Sequence, residues 1–196
     1  PDAVARGWAA QLDRGMRVEL PDERLSAAVR VARAHVLLAA GLRRPTGDVV
    51  SALEDWGFDA EAAAAFPLLS GRERRRAGAR PGRAARWEEV EALLDLDEPA
   101  LLLLGLRGLL AYEGSDDEIA LLSELPPGWA GQGIEVHDAP TRDGPVSYAV
   151  RWHGERPALL WEAPNGRWCS APGLDPNWSS NAPTGDALLR APATTP

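Results

Sequence analysis

Residues 144–162 read GPVSYAVRWHGERPALLWE, and this run constrains the fold more than any other stretch of the chain. Val146, Tyr148, Val150 and Trp152 recur at every second position, with Ser147, Ala149 and Arg151 between them. A period of two sends successive side chains to opposite faces of a strand. His153-Gly154 then supplies a two-residue turn, because glycine adopts positive φ without steric cost. In the returning strand Leu159 and Trp161 share one face, and Ala158 and Leu160 share the other. The run is therefore expected to be a central β-hairpin covered on both sides.

Around that hairpin the texture from residue 115 onward is that of short strands and turns. Candidate strands are 118–123, 133–137, 167–171 and 186–190, with Pro164-Asn165-Gly166 as a further turn. Five of the eight tryptophans (129, 152, 161, 168 and 178) lie in this half. The tail from Ala171 reads as loop anchored by Trp178, with the last five or six residues frayed.

Before residue 114 the period is helical. Val4, Trp8 and Leu12 share one face of a short helix, and MRVEL at 16–20 is either a short strand or an extended connector. Pro21 and the acidic pair Asp22-Glu23 suit the first turn of a helix running to Ala40, with Leu25, Ala28, Val29, Ala32 and Val36 as its buried stripe and His35 partly buried beside it. Thr46 caps a helix to Trp56, and Asp59 caps another over 60–66. Trp87–Leu96 is amphipathic, whereas PALLLLGLRGLLAYE from Pro99 is apolar on nearly every side and must be buried by neighbours. Between these helices, residues 71–86 hold seven arginines, all within the 15 residues from Arg72 to Arg86, with the glycine and proline content of a solvated linker. The expected class is α+β: helical hairpins over 1–114, then an antiparallel β-sandwich over 115–196.

Composition narrows the function. The net charge of −8, with 21 basic against 29 acidic residues, opposes a general nucleic-acid or anionic-membrane surface. No apolar run reaches membrane-spanning length. Cys169 is the sole cysteine, so no intrachain disulfide forms, and a cytoplasmic setting is expected. The opening at Pro1 and the APATTP ending suggest a piece of a longer protein.

No catalytic constellation stands out. The three histidines and Cys169 show neither H-x-x-x-H nor C-x-x-C spacing, so no metal ligand is assigned. A G-x-S-x-G elbow and a phosphate loop are both missing from the sequence, and no cofactor is implied. Glu54-Asp55 beside Trp56 has the residue types of a sugar site, although the end of a helix explains the same residues. The best ligand-contacting group is Trp152, His153, Arg156 and Trp161, since ring faces and charged donors together hold a polar or sugar ligand.

The segment DAPTRDGPVSYAVRWHGERPALLWE (138–162), with Pro140, Thr141 and Gly144 in a P-T-x-x-G pattern, resembles the C-terminal end of actinobacterial six-hairpin glycosidase-like proteins. LPPGWAGQGIEV (125–136) and LPDERLSAAVRVARAHVLLA (20–39) are similar to segments of the same proteins. The resemblance implies a terminal β-domain beside a carbohydrate-active (α/α) barrel. No position here matches the catalytic acids of that family, and the chain offers only part of the helices a six-hairpin toroid needs. The expected function is that of a non-catalytic C-terminal part of a glycoside-hydrolase-like protein, packing on or shaping a preceding catalytic (α/α) barrel, with carbohydrate as the expected ligand. The alternatives are a carbohydrate-binding module using exposed tryptophans and a small glycoside hydrolase.

Overall fold

A computed structural model describes residues 2–42, 44–77, 82–114 and 118–192. Among them are seven α-helices and nine strands, an α+β arrangement with the helices mostly first.

Helix α1 (Asp2–Leu12) leads into strand β1 (Arg17–Glu19), so MRVEL is a strand and not a connector. Helix α2 (Glu23–Ala40) starts where the Asp22 carboxylate accepts from Leu25 N–H at 2.9 Å. Thr46 does the same for α3 (Gly47–Asp55), accepting from Val49 N–H at 3.3 Å. Helix α4 (Asp59–Ala65) begins at Asp59 without a side-chain cap and runs into a 3-10 turn, Phe66–Leu68. His35 is exposed, not partly buried as its position suggested.

The arginine-rich stretch is half helical. Helix α5 (Gly71–Ala77) packs on α3, and the Glu73 carboxylate accepts from Gly47 N–H at 2.7 Å. The linker expectation therefore fails for residues 71–77, because one acidic side chain ties the basic helix to the start of α3. Residues 78–81 and 193–196 lie outside the described residues. Helix α6 (Trp87–Leu93) precedes α7 (Pro99–Leu110), which contacts α2, α3 and α6. That enclosure accounts for its nearly uniform apolarity, and Trp56 Nε1–H donates to the Leu103 carbonyl at 2.9 Å.

Nine strands form two sheets. With β4 (Ile134–Ala139), β5 (Val146–His153), β6 (Arg156–Glu162) and β9 (Thr184–Leu188), β1 builds a five-stranded sheet in the order β1-β4-β5-β6-β9, antiparallel throughout. Strands β2 (Ala111–Glu113), β3 (Glu118–Leu121), β7 (Trp168–Ala171) and β8 (Asp175–Ser180) form the second, in the order β2-β3-β7-β8. Here β3 and β7 run parallel, a departure from the antiparallel expectation. Strand β8 occupies a stretch expected to be loop, with Trp178 inside it. The Asn165-Gly166 turn forms, with φ of 80° at Gly166, but it carries the chain from one sheet to the other.

The central hairpin differs in two respects from its sequence reading. His153 pairs with Arg156, so the loop is Gly154-Glu155, with φ of 64° at Gly154. Its two faces also differ. Val146, Tyr148, Val150, Leu159 and Trp161 are buried, while Arg151, Leu160 and Glu162 on the other face are exposed. Strand alternation here marks a one-sided sheet.

The hydrophobic core is continuous from Leu25 and Leu53 through Leu106 to Val136, Leu159 and Leu174. Strands β1 and β2, both before Gly114, each complete one edge of a sheet. The change of texture near 114 thus separates patterns and not cores. Tyr148 Oη–H donates to the Leu110 carbonyl at 2.8 Å, joining the five-stranded sheet to the end of α7.

Candidate functional site

A cleft of about 730 Å³ opens where α3, α5, α6, α7 and β2 meet. Helix α3 brings Asp48, Ser51 and Asp55 to it, at i, i+3 and i+7, together with Glu54. Helix α7 presents Leu101, Leu104, Gly105 and Gly108, the less buried side of an otherwise enclosed helix. The two glycines permit close packing: a Cβ at 105 would lie 3.3 Å from Leu93 Cδ1, and one at 108 would lie 3.4 Å from Ala85 Cβ. Strand β2 closes the cleft with Tyr112 and Glu113.

The charged groups of the cleft are held in place. Arg76 makes a two-pronged contact with Asp48, Nε to Oδ1 at 2.9 Å and Nη2 to Oδ2 at 2.8 Å. Arg83 pairs with Glu89, and the side-chain hydrogen bond from Arg83, then the Arg86 backbone N–H, hold that carboxyl down at about 2. The buried Arg107 donates to the Pro140 carbonyl. Glu113 accepts from Arg167 Nη2 at 2.9 Å and from Arg142 N–H at 3.2 Å. The cleft wall thus mixes fixed acceptors and donors beside an apolar side made by Leu93, Leu101 and Leu104.

The four ligand-contacting candidates lie elsewhere, and none lines this cleft. Trp152 is half-buried, and its Nε1–H donates to the Gln132 carbonyl at 2.8 Å. Trp161 is buried, donates to the Ala182 carbonyl at 2.9 Å, and meets Trp178 edge-on at 5.0 Å. His153 and Arg156 are cross-strand partners on the opposite face from the two tryptophans. The Arg156 guanidinium donates to the carbonyls of Leu188 at 3.0 Å and Leu189 at 2.9 Å, where it secures the end of β9. Trp152 and Trp161 thus hold loop carbonyls at Gln132 and Ala182, and Arg156 holds the end of β9.

Two further groups bear on chemistry. Burial pushes the Cys169 thiol up to about 11, which disfavours the thiolate needed of a nucleophile. On the exposed face of the five-stranded sheet, Glu19, Glu135 and His137 bring ligand-type atoms within 4.8 Å of one another. Sequence spacing did not show this cluster because Glu19 arrives across the β1–β4 pairing, opposite Glu135. Both oxygens of Glu135 are engaged, one by Arg151 and the other by His137 Nε2 at 2.9 Å.

Of the cleft, Glu54-Asp55 carry the residue types of a sugar site in the sequence, and Arg76 and Arg83 belong to its arginine-rich stretch. Gly105 and Gly108 signal close packing of this helix against another element, but no spacing shows that the same side, with Leu101 and Leu104, lines a cleft. A comparison with protein-family models, a search of curated proteins and a search of solved structures returned no significant match.

Proposed function

We propose that this chain is the non-catalytic C-terminal part of a glycoside-hydrolase-like protein, and that it packs through α2 onto a helical (α/α) barrel. The observation that carries this reading is an apolar stripe on the outer side of α2. Val31, Leu38 and, just past the helix end, Leu42 are 55%, 57% and 58% exposed. With His35 they stand at i, i+4, i+7 and i+11, the ridge spacing by which one helix packs on another. The inner side of α2 is already filled by Leu25, Val29, Ala32 and Val36, so the outer stripe is additional to what the fold uses. Val4 on α1, 68% exposed, lines a groove with Trp8 and Leu37. Large apolar side chains exposed at one helical spacing are the surface by which a helix docks on a partner.

The (α/α) partner follows from the resemblance at 20–39 and 125–162, and the helical spacing of the stripe suits a helix as its occupant. A cytoplasmic setting accords with the single thiol, Cys169. No helix among the described residues is long and apolar enough to cross a membrane. The tryptophan-platform alternative is less well supported, because Trp161 is covered and Trp168, 49% exposed, stands without a second ring against it among the described residues.

The test is co-expression of the chain with the polypeptide encoded immediately upstream of Pro1, followed by co-purification of wild type and of Val31→Glu/Leu38→Glu. Association with a helical barrel that the double variant abolishes is the expected result. An upstream segment without helical hairpins, or association indifferent to the two charges, overturns the reading.

A further inference from the structure

Helix α5 uses one side for packing and leaves the other open. Glu73 accepts from Gly47 N–H at 2.7 Å, Arg76 holds both oxygens of Asp48, and the Ala77 carbonyl accepts from Ser51 Oγ–H at 2.9 Å. Positions 73, 76 and 77 thus make the side that faces α3, at i, i+3 and i+4. Arg72, Arg74 and Arg75 fall on the remaining arc and are exposed, and none of them lines the cleft. We propose that this arc, with the 3-10 turn at Phe66–Leu68, is a docking surface for a partner protein's acidic peptide segment that carries apolar side chains between its acids.

Two of the guanidinium groups are available. Arg72 and Arg75 make no hydrogen bond or ion pair among the described residues. The nearest acids in the chain's own framework are turned inward: Glu73 is engaged at Gly47, and Asp48 is engaged by Arg76. Arg74 ties the arc to the preceding turn. Its guanidinium stands 5.8 Å from the Phe66 ring centroid, and its Nη2 donates to the Pro67 carbonyl at 2.9 Å. Phe66 and Leu68 are 42% and 48% exposed, so the turn adds an aromatic ring and a leucine to the basic surface.

Charge and apolarity together select the occupant. Guanidinium groups take carboxylates in two-pronged pairs, and arginine clusters are a recurring means of recognising acidic motifs. Apolar side chains between the acids would cover Phe66 and Leu68, giving the apolar centre and polar rim of a protein interface. A long polyanion or an anionic bilayer would also meet the rest of a chain whose net charge is −8, and that field opposes it. A short acidic segment meets chiefly the local positive charge, because more distant charges are screened beyond about 8–10 Å at physiological salt. The arc is presented rigidly, since a Cβ at Gly47 would stand 2.5 Å from the Glu73 carbonyl oxygen, a close backbone approach between α3 and α5.

The experiment is fluorescence-anisotropy titration of the full chain with a labelled peptide of glutamates interspersed with leucines. An all-glutamate peptide, labelled oligouridine, and vesicles of phosphatidylserine and phosphatidylcholine are run beside it. Saturable binding of the mixed peptide is expected, tighter than that of the all-glutamate peptide. It should weaken several-fold as salt rises from about 0.01 M to about 0.15 M and the Debye length contracts from about 30 Å to about 8 Å. Arg72→Glu/Arg75→Glu should weaken it by about tenfold or more. Both arginines are exposed, so the thermal midpoint should stay near that of wild type. Should charge reversal lower that midpoint, Arg72→Gln/Arg75→Gln decides, with a smaller loss in the same direction. Phe66→Ser should remove most of the preference for the mixed peptide over the all-glutamate one. No binding of the mixed peptide, binding indifferent to the arginine variants, no preference over the all-glutamate peptide, or tighter binding of oligouridine or vesicles overturns the proposal.

Discussion

Replacing Arg167 by methionine should destabilise the chain severely, because it removes a charged partner of the buried Glu113 carboxylate. Arg167 and Glu113 have side-chain exposures of 4% and 2%, and Nη2 lies 2.9 Å from Oε1. Charges about 4 Å apart attract by about 4 kcal/mol at an effective dielectric near 20. Breaking a buried pair from one side typically costs about 3–5 kcal/mol, since the remaining charge keeps its desolvation penalty. The second arm, Arg167 Nη1 to Asp143 Oδ2 at 2.9 Å, adds little because Asp143 is 49% exposed. Methionine keeps the apolar stem volume, so the loss reports the charge and not a cavity. Urea denaturation of Arg167→Met should show a loss of about 3–5 kcal/mol, nearly independent of salt because the pair is buried. Adding Glu113→Gln should recover most of that loss, leaving a deficit of about 1–2 kcal/mol. A single-variant loss below about 1 kcal/mol, or a double variant worse than the single, would refute the account.

Two further outcomes follow from local geometry. Gly185 lies against the Trp161 indole: a Cβ there would stand 2.6 Å from both Cζ2 and Cη2, and the ring is pinned by Trp178 and the Ala182 carbonyl. Gly185→Ala should therefore cost about 1–3 kcal/mol of overpacking despite the lower entropy of its unfolded chain; trimming the ring with Trp161→Phe should narrow that cost, and a neutral Gly185→Ala would count against the fit. The second outcome concerns pH: hydrogen bonds from Arg151 and then His137 hold the Glu135 carboxyl below its ordinary 4.5. Because the folded value is depressed, the associated stability is complete above about 4.5 and fades as pH falls through the folded value. With Arg151 49% exposed the contribution should be at most about 0.5 kcal/mol, so the stability of Arg151→Met and wild type should converge below pH 4.5 and differ slightly above it; a constant gap across that range would show that the substitution acts through something other than this pair.

The helices were legible from local chemistry. Asp22 and Thr46 open α2 and α3 where their carboxylate and hydroxyl satisfy free N–H groups, an interaction spanning three residues. The alternation of β5 and β6 announced a hairpin for the same reason. Its loop moved by one residue because pairing His153 with Arg156 leaves glycine at the first turn position, where positive φ is needed. The number of covered faces was not legible, since Leu160 and Ala158 look like core residues in one dimension. Their register partners, Asp186 and Leu188, belong to β9, more than twenty residues away.

The site divides in the same way. Glu54 and Asp55 beside Trp56 have the residue types of a sugar site, yet helix end and sugar site read alike in sequence. Trp152, His153, Arg156 and Trp161 are neighbours along the chain but fall on two faces of one hairpin. The cleft draws on residues from Asp48 to Glu113, brought together by packing of α3 and α6 on α7.

By itself, then, the sequence determined the periods of most segments, though not the helix at 71–77 or the strands at 111–113 and 175–180, and it placed many of the glycines that punctuate them, because these follow from interactions within a few residues. Only the tertiary structure decided which strand lies beside which, that β3 and β7 run parallel, and that one face of the hairpin stays exposed. It also decided that acids and arginines from five elements share a cleft. Those outcomes depend on burying apolar surface and pairing buried charges between segments far apart in the chain, such as Arg167 with Glu113, and such pairings leave no periodic trace.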